Sequence, residues 1–286
     1  MKKENPQSSI PPPVKNLLIT VTFLTIFFLI EIGTLSARDG VEKTSILVLH
    51  SYHKGYLWTD DITRGINQFF LENSFPVNVQ YEYMDSKKVF DETYLKLIAD
   101  LYKYKFRNKK FDVIISSDDN AFNFLRDYRD QLFPDTPVVF CGTNYITPER
   151  KATLPNSTGI NEAASLKGNL ELILRLHPKP SHLLVLADKT TTGIRIEQRI
   201  DEIKSDFDHQ TNIQFLNDLT KDQLVSKLKN LPQSAVVLYT VFSRDSSGNF
   251  LEYDESIELV TATCSCPVYI TWDFSIGTGA IGGLLT

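Results

Sequence analysis

The side chains best suited to chemistry in this chain stand close together in residues 51–60, SYHKGYLWTD. This segment holds three aromatic residues, Tyr52, Tyr56 and Trp58, together with a histidine and a lysine. Aromatic faces with a few polar groups are typical of sites for small organic ligands. Tyr56 and Trp58 could instead pack the segment onto the helix that follows it. Both roles stay open from the residues alone.

A second polar segment, residues 116–120 (SSDDN), follows an apolar run and precedes a helical pattern. One of its members is expected to cap the helix, as Ser and Asp commonly do. The amides of such a turn can also hold a carboxylate or carbonyl of a ligand. Ser117, Asp118 and Asp119 are therefore candidate ligand contacts. The two aspartates are neighbours in sequence, so their side chains should diverge, and an acid–base pair is not predicted.

Patterns for catalysis, metals and cofactors have little support. The chain has neither a Gly-x-Ser-x-Gly elbow nor a P-loop. Of its five histidines only His50 and His53 stand at a metal-ligand spacing, and we expect that pair, which spans a strand end, to be structural. The glycine spacing of residues 277–282 matches a dinucleotide-binding fingerprint, but the helix and the acidic residue that this fingerprint requires do not follow. We expect a flexible turn there, and we predict no metal, no cofactor and no enzymatic activity for this segment.

Composition limits the classes of partner and the compartment. The 286 residues carry a formal net charge of −5 without a long basic stretch, which makes nucleic acid a poor partner. The three cysteines are too few for a disulfide framework. Cys264 and Cys266 are two residues apart, a strained spacing for a mutual disulfide. We expect them to be small residues at a helix end rather than a metal site.

An apolar run from Leu17 to Ile30 precedes the body of the chain. Lysines come before it, so the preceding proline-rich residues 1–16 should be a disordered cytoplasmic tail, with the body outside. A bilayer-spanning helix needs about 20 residues. The run reaches that length at Leu35 only by including Glu31, so residues 17–35 form either a retained anchor, which we favour, or a cleaved signal. We predict an inner-membrane location with the soluble part facing the periplasm.

Short apolar runs alternate with helical patterns from residue 44 onward, and this alternation predicts parallel sheets with right-handed crossovers. Two series of such units, separated near residue 147, indicate a first α/β lobe at 44–146 and a second at 147–286. Ligands of such sheets bind at the carboxyl ends of the strands. The polar segments that follow the apolar runs are therefore the candidate binding loops.

Four stretches together resemble a known family. They are ILVLHSYHKGYLWTDDITRGI (46–66), FDVIISSDDNAFNFL (111–125), PVVFCGTN (137–144) and DFSIGTGAIGG (273–283). They are similar to extracytoplasmic sensor regions related to ABC-transporter substrate-binding proteins, which often precede histidine kinase or diguanylate cyclase modules. The resemblance covers roughly residues 44–283.

The resemblance implies a type I periplasmic-binding fold, with two α/β lobes that close on a small molecule. In that family the chain continues after the glycine-rich turn with a helix and a strand, so the second lobe is expected to be incomplete at Thr286. The positions that would face the ligand are Tyr52, Tyr56, Trp58, Ser117, Asp118, Asp119, Asn144, Asp188 and Trp272.

Our leading hypothesis is a membrane-tethered extracytoplasmic sensor domain that binds a small organic molecule, whose output module lies outside this sequence. Tethered sensors commonly act as homodimers. The alternative is the solute-binding component of an ABC transporter. A third hypothesis is an extracytoplasmic α/β hydrolase. It has less support, because the sequence shows no arrangement of residues for nucleophilic catalysis.

Overall fold

The structure, a computed structural model, describes residues 43–285. The tail predicted at residues 1–16 and the membrane segment predicted from Leu17 to Leu35 lie outside the described residues. Within 43–285, none of the helices combines the length and the apolar character that crossing a bilayer requires.

The first sheet contains five parallel strands in the order β2-β1-β3-β4-β5. Its central strands are apolar and buried, as expected for a sheet covered on both faces. The strands are β1 Thr44–His50, β2 Val77–Tyr83, β3 Val113–Ser117, β4 Val138–Asn144 and β5 Ser157–Glu162.

The second sheet contains four parallel strands in the order β7-β6-β8-β9. Its two central strands, β6 and β8, are buried along their whole length. The strands are β6 Leu183–Ala187, β7 Ile213–Leu216, β8 Val236–Val241 and β9 Val268–Ile270.

Helices connect the strands and follow the predicted alternation closely. Side-chain caps define where some of them begin. Asp91 accepts the N–H of Tyr94 at the start of one helix, and Thr220 and Gln223 form a capping box at the start of another. The helices are α1 Leu57–Glu72, α2 Glu92–Lys105, α3 Asp118–Leu132, α4 Pro148–Ala152, α5 Leu166–Leu176, α6 Thr191–Ile203, α7 Lys221–Lys229 and α8 Tyr253–Thr263.

One difference from the expected division of the chain lies between residues 147 and 162. The sequence pattern places the end of the first lobe at residue 146, whereas β5 pairs with β4 and extends the first sheet to Glu162. β5 reads STGINE and is mostly exposed, because it is an edge strand. An edge strand needs no apolar run, so the hydrophobic pattern gave no sign of it.

Two hydrophobic cores accompany the two sheets. The first includes Leu47, Leu49 and Phe122, and the second is built around β6 and β8 with α5, α6 and α8. Tyr52 and Tyr56 belong to the second core although they follow β1 of the first sheet. The loop after β1 therefore packs against the second lobe and brings the two sets of strand ends together.

The glycine-rich segment near the end of the described chain is ordered by hydrogen bonds, not a flexible turn. Ile281 donates its N–H to the carbonyl of Val268, and Ile270 donates to Gly282, so the segment lies along β9. Gly277, Gly279 and Gly282 have positive φ angles, which favour glycine. The backbone conformation therefore accounts for these glycines, and no phosphate-binding role is needed to explain them.

Cys264 and Cys266 form a disulfide, contrary to the expectation from their spacing. α8 ends at Thr263 and Cys264 is extended, so the two Cα atoms are 5.3 Å apart, within the range that a disulfide bridges.

Candidate functional site

The loop after β1 places three aromatic side chains where the two lobes meet. Tyr52 and Tyr56 are each 5% exposed and contact edge to face, with ring centroids 5.4 Å apart. Trp58 lies in the first turn of α1 and is half-buried. The loop therefore lines the cleft instead of packing only onto α1, because Tyr52 and Tyr56 contact the second lobe.

Asp118 begins α3 at the carboxyl end of β3 and has a φ of 70°, in the left-handed region. Its carboxylate accepts hydrogen bonds from Trp58 Nε1 at 2.9 Å and Ser117 Oγ at 2.7 Å. Burial raises the pKa of this carboxyl to about 7, against the two donated hydrogen bonds, which favour the charged form. Ser117 acts on the cleft only through Asp118.

Asp119 is directed away from the cleft and holds neighbouring groups in place. Its carboxylate accepts from Arg150 Nη2 at 2.6 Å and from Asn144 Nδ2 at 2.9 Å. Asn144 lines the cavity, and its buried Oδ1 has no hydrogen-bond partner within the described chain. Asn144 thus adds an unsatisfied buried acceptor to the residues that line the cavity.

Asp188, at the end of β6, fixes the backbone of the second lobe rather than facing the cavity. Its Oδ2 accepts from the N–H groups of Ser243 at 2.6 Å and Arg244 at 3.2 Å, and its Oδ1 accepts from the N–H of Thr190 at 2.9 Å. These bonds join the loops that follow β6 and β8. The carboxylate therefore shapes the cleft without lining it.

The second lobe contributes a group of aromatic rings. Trp272 follows β9, donates its indole N–H to the carbonyl of Thr240 at 3.2 Å, and stacks parallel to Phe274 with centroids 6.5 Å apart. Tyr253, at the start of α8, contacts Phe274 edge to face at 4.8 Å. Trp58 approaches from the first lobe to within 6.4 Å of Trp272 and 6.1 Å of Phe274.

Two titratable residues complete the first-lobe side. Lys87, in the loop after β2, is 3% exposed, and its ammonium lies 4.7 Å above the Tyr52 ring and 5.9 Å from that of Tyr56. Burial lowers the pKa of Lys87, opposed by nearby carboxylates. Glu162 ends β5, and its pKa is raised to about 9, first by burial and then by the charges of Asp118 and Asp119.

These side chains surround one cavity at the carboxyl ends of the strands of both sheets. Its volume is about 40 Å³. The first-lobe residues that line it are Tyr52, Tyr56, Trp58, Lys87, Asp118, Asn144 and Glu162. The second-lobe residues are Thr192, Val241, Tyr253, Trp272 and Phe274.

Direct polar contacts hold the lobes together around the cavity. Tyr52 Oη and Thr192 Oγ1 are 3.2 Å apart, and His53 Nε2 and Glu252 Oε1 are 3.2 Å apart. Arg244 of the second lobe donates through Nε to the carbonyl of Lys87 at 3.1 Å. The described arrangement is therefore a closed one, in which side chains from each lobe bond across the cleft.

Of the nine residues predicted to face a ligand, six line the cavity and three do not. Ser117, Asp119 and Asp188 are buried beside it and support other groups. The sequence reasoning missed six lining residues. Lys87 could have been predicted, because it lies in the loop after the strand expected at residues 77–84, where ligands of such sheets bind. The other lining residues missed were Glu162, Thr192, Val241, Tyr253 and Phe274.

The chemistry available here suits binding. Within residues 43–285, no group of three or more His, Cys, Asp and Glu side chains is arranged to hold a metal ion. The lining combines six aromatic rings with two carboxyl groups, an ammonium and an amide, which is the make-up of a site for a small organic molecule.

Solved structures of known proteins share this architecture. A conserved domain protein from Vibrio cholerae O1 biovar El Tor matches with a TM-score of 0.59 at 14% identity, over 84% of this chain and 79% of the other. A Streptococcus pneumoniae ABC domain in complex with L-Trp matches with a TM-score of 0.58 at 16% identity, over 84% and 77%.

A third match is a solute binding protein of an ABC transporter from Rhodopseudomonas palustris BisB5, in complex with 3,4-dihydroxy benzoic acid. Its TM-score is 0.53 at 12% identity, over 80% of this chain and 61% of that one. Residues 43–285 have the fold of solute-binding proteins. These matches confirm the predicted periplasmic-binding-like α/β fold, in which helices flank parallel sheets. No family model and no curated protein matches the chain.

Proposed function

We propose that residues 43–285 bind a small organic ligand in the cleft between the two lobes. The observation that carries the proposal is the cavity itself, since aromatic and polar side chains from both sheets meet at the strand ends where such folds bind ligands. A ligand held there touches both lobes at once. Its presence therefore favours the closed arrangement over an open one.

The size of the cavity supports a protein that opens and closes. About 40 Å³ is far below the roughly 300–1,000 Å³ of sites for drug-sized ligands. An organic molecule can enter only if the lobes part or if side chains such as Trp58 move aside.

The ligands of two structural relatives are aromatic. The Streptococcus pneumoniae protein is in complex with L-Trp and the Rhodopseudomonas palustris protein with 3,4-dihydroxy benzoic acid. The six aromatic rings of this cavity would suit a flat ligand. We therefore place aromatic amino acids, amines and acids first among candidate ligands.

For the intact protein we propose a membrane-tethered extracytoplasmic sensor, with the solute-binding component of an ABC transporter as the alternative. The lysine-flanked apolar run from Leu17 to Ile30 supports tethering, and the resemblance of four sequence stretches to sensor regions supports signalling. We propose that the tethered protein acts as a homodimer. Deletion of the gene should leave solute uptake unchanged and abolish a ligand-dependent response; loss of uptake with an intact response would favour transport.

Thermal unfolding of the full-length chain with a panel of amino acids, amines, organic acids and nucleobases tests binding directly. A ligand that binds only the folded protein raises its melting temperature with concentration. At least one compound should do so, and Asp118→Asn should reduce the shift. A panel that leaves the melting temperature unchanged throughout would contradict the proposed function.

A further inference from the structure

Three aromatic rings of the cavity form a nearly equilateral group, which we call the aromatic triad: Trp58, Trp272 and Phe274. Their centroids are 6.4, 6.1 and 6.5 Å apart, and the Trp58 ring is inclined by 46–47° to both of the others. Rings at such distances contact one another. Together they form an aromatic surface from both lobes, against which a compact group such as a methylated ammonium can lie.

The rest of the aromatic lining shows which kind of group these rings accept. The ammonium of Lys87 lies 4.7 Å above the Tyr52 ring, so the tyrosine half of the cavity is already occupied by a cation of the protein. The aromatic triad has no lysine or arginine of the described chain over its rings. The two halves of the lining thus differ in whether the chain itself supplies the positive charge.

The polar atoms beside the aromatic triad are acceptors. Asp118 is 3% exposed and is held by Trp58 Nε1 and Ser117 Oγ, both of which donate to it and favour a negatively charged carboxylate. Asn144 is also 3% exposed, and its Oδ1 has no partner in the described chain. Glu162 also lines the cavity, but its raised pKa keeps that carboxyl uncharged at neutral pH, so Asp118 is the carboxylate available to a cation.

From this arrangement we infer that the ligand carries a cationic nitrogen, a primary or methylated ammonium group, which contacts the aromatic triad and pairs with Asp118, while an N–H of a primary ammonium donates to Asn144 Oδ1. The inference rests on the proposed function and specifies its ligand class. A ligand carboxylate placed at the triad would lie beside the Asp118 carboxylate and would leave Asn144 Oδ1 without a donor.

Calorimetric titration of the full-length chain with three matched probes tests this inference. Phenethylamine, phenylethanol and phenylpropionate share a phenyl ring and differ in whether they are cationic, neutral or anionic at neutral pH. We expect phenethylamine to bind at least about tenfold more tightly than phenylethanol, and phenylpropionate to bind more weakly still. Equal or tighter binding of phenylethanol or phenylpropionate would overturn the inference and leave the proposed function standing. Binding by none of these probes and by none of the wider ligand panel would overturn both.

Two variants locate the cationic group. Asp118→Asn keeps the size of the side chain and removes its charge, and it should weaken phenethylamine at least about tenfold while changing phenylethanol little. Asp127→Asn, on the exposed side of the same helix, is the matched control. Equal losses for the amine and the alcohol would contradict pairing with Asp118.

Phe274→Leu provides an independent route if Asp118→Asn does not fold. It removes one half-buried ring of the triad and keeps an apolar side chain, with the exposed Phe69→Leu as control. Tetramethylammonium, which has no N–H to donate, should protect the wild-type chain from thermal unfolding and lose most of that effect in Phe274→Leu. Protection unaffected by Phe274→Leu, or no protection of the wild-type chain, would count against a cation at the triad.

Discussion

The indole N–H of Trp58 donates to the carboxylate of Asp118 at 2.9 Å, and this bond links the loop after β1 to the start of α3 within the cavity. A hydrogen bond donated to a carboxylate stabilises its charged form and opposes the effect of burial. Trp58 therefore has two roles, as a ring of the aromatic triad and as the group that keeps Asp118 ionisable near neutral pH.

Trp58→Phe should raise the pKa of Asp118 above about 7, because the phenyl ring keeps the packing and lacks the donor. Carbon-13 NMR titration of the Asp118 carboxyl measures this. Trp272→Phe is the matched control, since that indole donates to the carbonyl of Thr240 and not to a carboxylate. An unchanged or lowered pKa of Asp118 in Trp58→Phe would show that the indole bond is not formed in solution.

Glu162 should make the free energy of unfolding fall as pH rises from 7 to 9. Its pKa is raised from 4.5 to about 9 by folding, so the folded protein binds the proton more tightly than the unfolded chain. That stabilisation is complete below pH 4.5 and is lost as pH approaches 9. The pKa of Asp118 is also raised, to about 7, so its contribution to the free energy of unfolding is lost at a lower pH than that of Glu162.

Denaturant titrations of the wild-type chain and Glu162→Gln at several pH values measure the Glu162 contribution. The variant should lack a decrease on the order of 2 kcal/mol between pH 7 and 9. Glu202→Gln, at an exposed position on α6, should behave like the wild type. Parallel pH profiles for the wild type and Glu162→Gln would argue against a buried, neutral Glu162.

Arg244→Ala should shift the ligand-free protein toward an open arrangement. Arg244 belongs to the second lobe and donates to the carbonyls of Ser86 and Lys87 in the first, so its loss removes contacts that exist only when the lobes are closed. We expect the free energy of closure to become less favourable by about 1–3 kcal/mol, which is the usual contribution of hydrogen bonds from a charged donor. Small-angle scattering should show a larger radius of gyration.

The surface variant Arg199→Ala serves as the control for Arg244→Ala, because Arg199 pairs with Glu202 on its own helix and not across the cleft. Saturation with a bound ligand should return Arg244→Ala to the wild-type radius, since ligand contacts add to the closed state. An identical radius for wild type and Arg244→Ala without ligand would contradict the role of this contact.

Cys141 should resist alkylation in the folded protein. Burial raises the pKa of its thiol to about 12, and the reactive thiolate is correspondingly scarce at pH 8. Mass spectrometry after iodoacetamide treatment should show modification slower than that of an exposed cysteine by about two to three orders of magnitude. Unfolding in urea should restore the rate; rapid modification of the native chain would contradict the burial.

The order of secondary structure elements could be predicted well because most strands are buried in parallel sheets and appear as apolar runs, such as residues 46–50 and 183–187. β5 could not, because STGINE is an exposed edge strand whose place in the first sheet depends on pairing with β4. The disulfide between Cys264 and Cys266 was missed for a similar reason, since it depends on where α8 ends.

The sequence by itself determined that two series of strands end in polar and aromatic loops, and that the loop with Tyr52, Tyr56 and Trp58 stands at such an end. Only the tertiary structure decided which side chains of those loops meet. Asp118, which has a positive φ, lines the cleft, whereas Asp119 bonds to Arg150 and Asp188 to backbone amides. Side-chain direction at a strand end depends on local backbone angles and on the packing of one lobe against the other, and neither leaves a periodic pattern in the sequence.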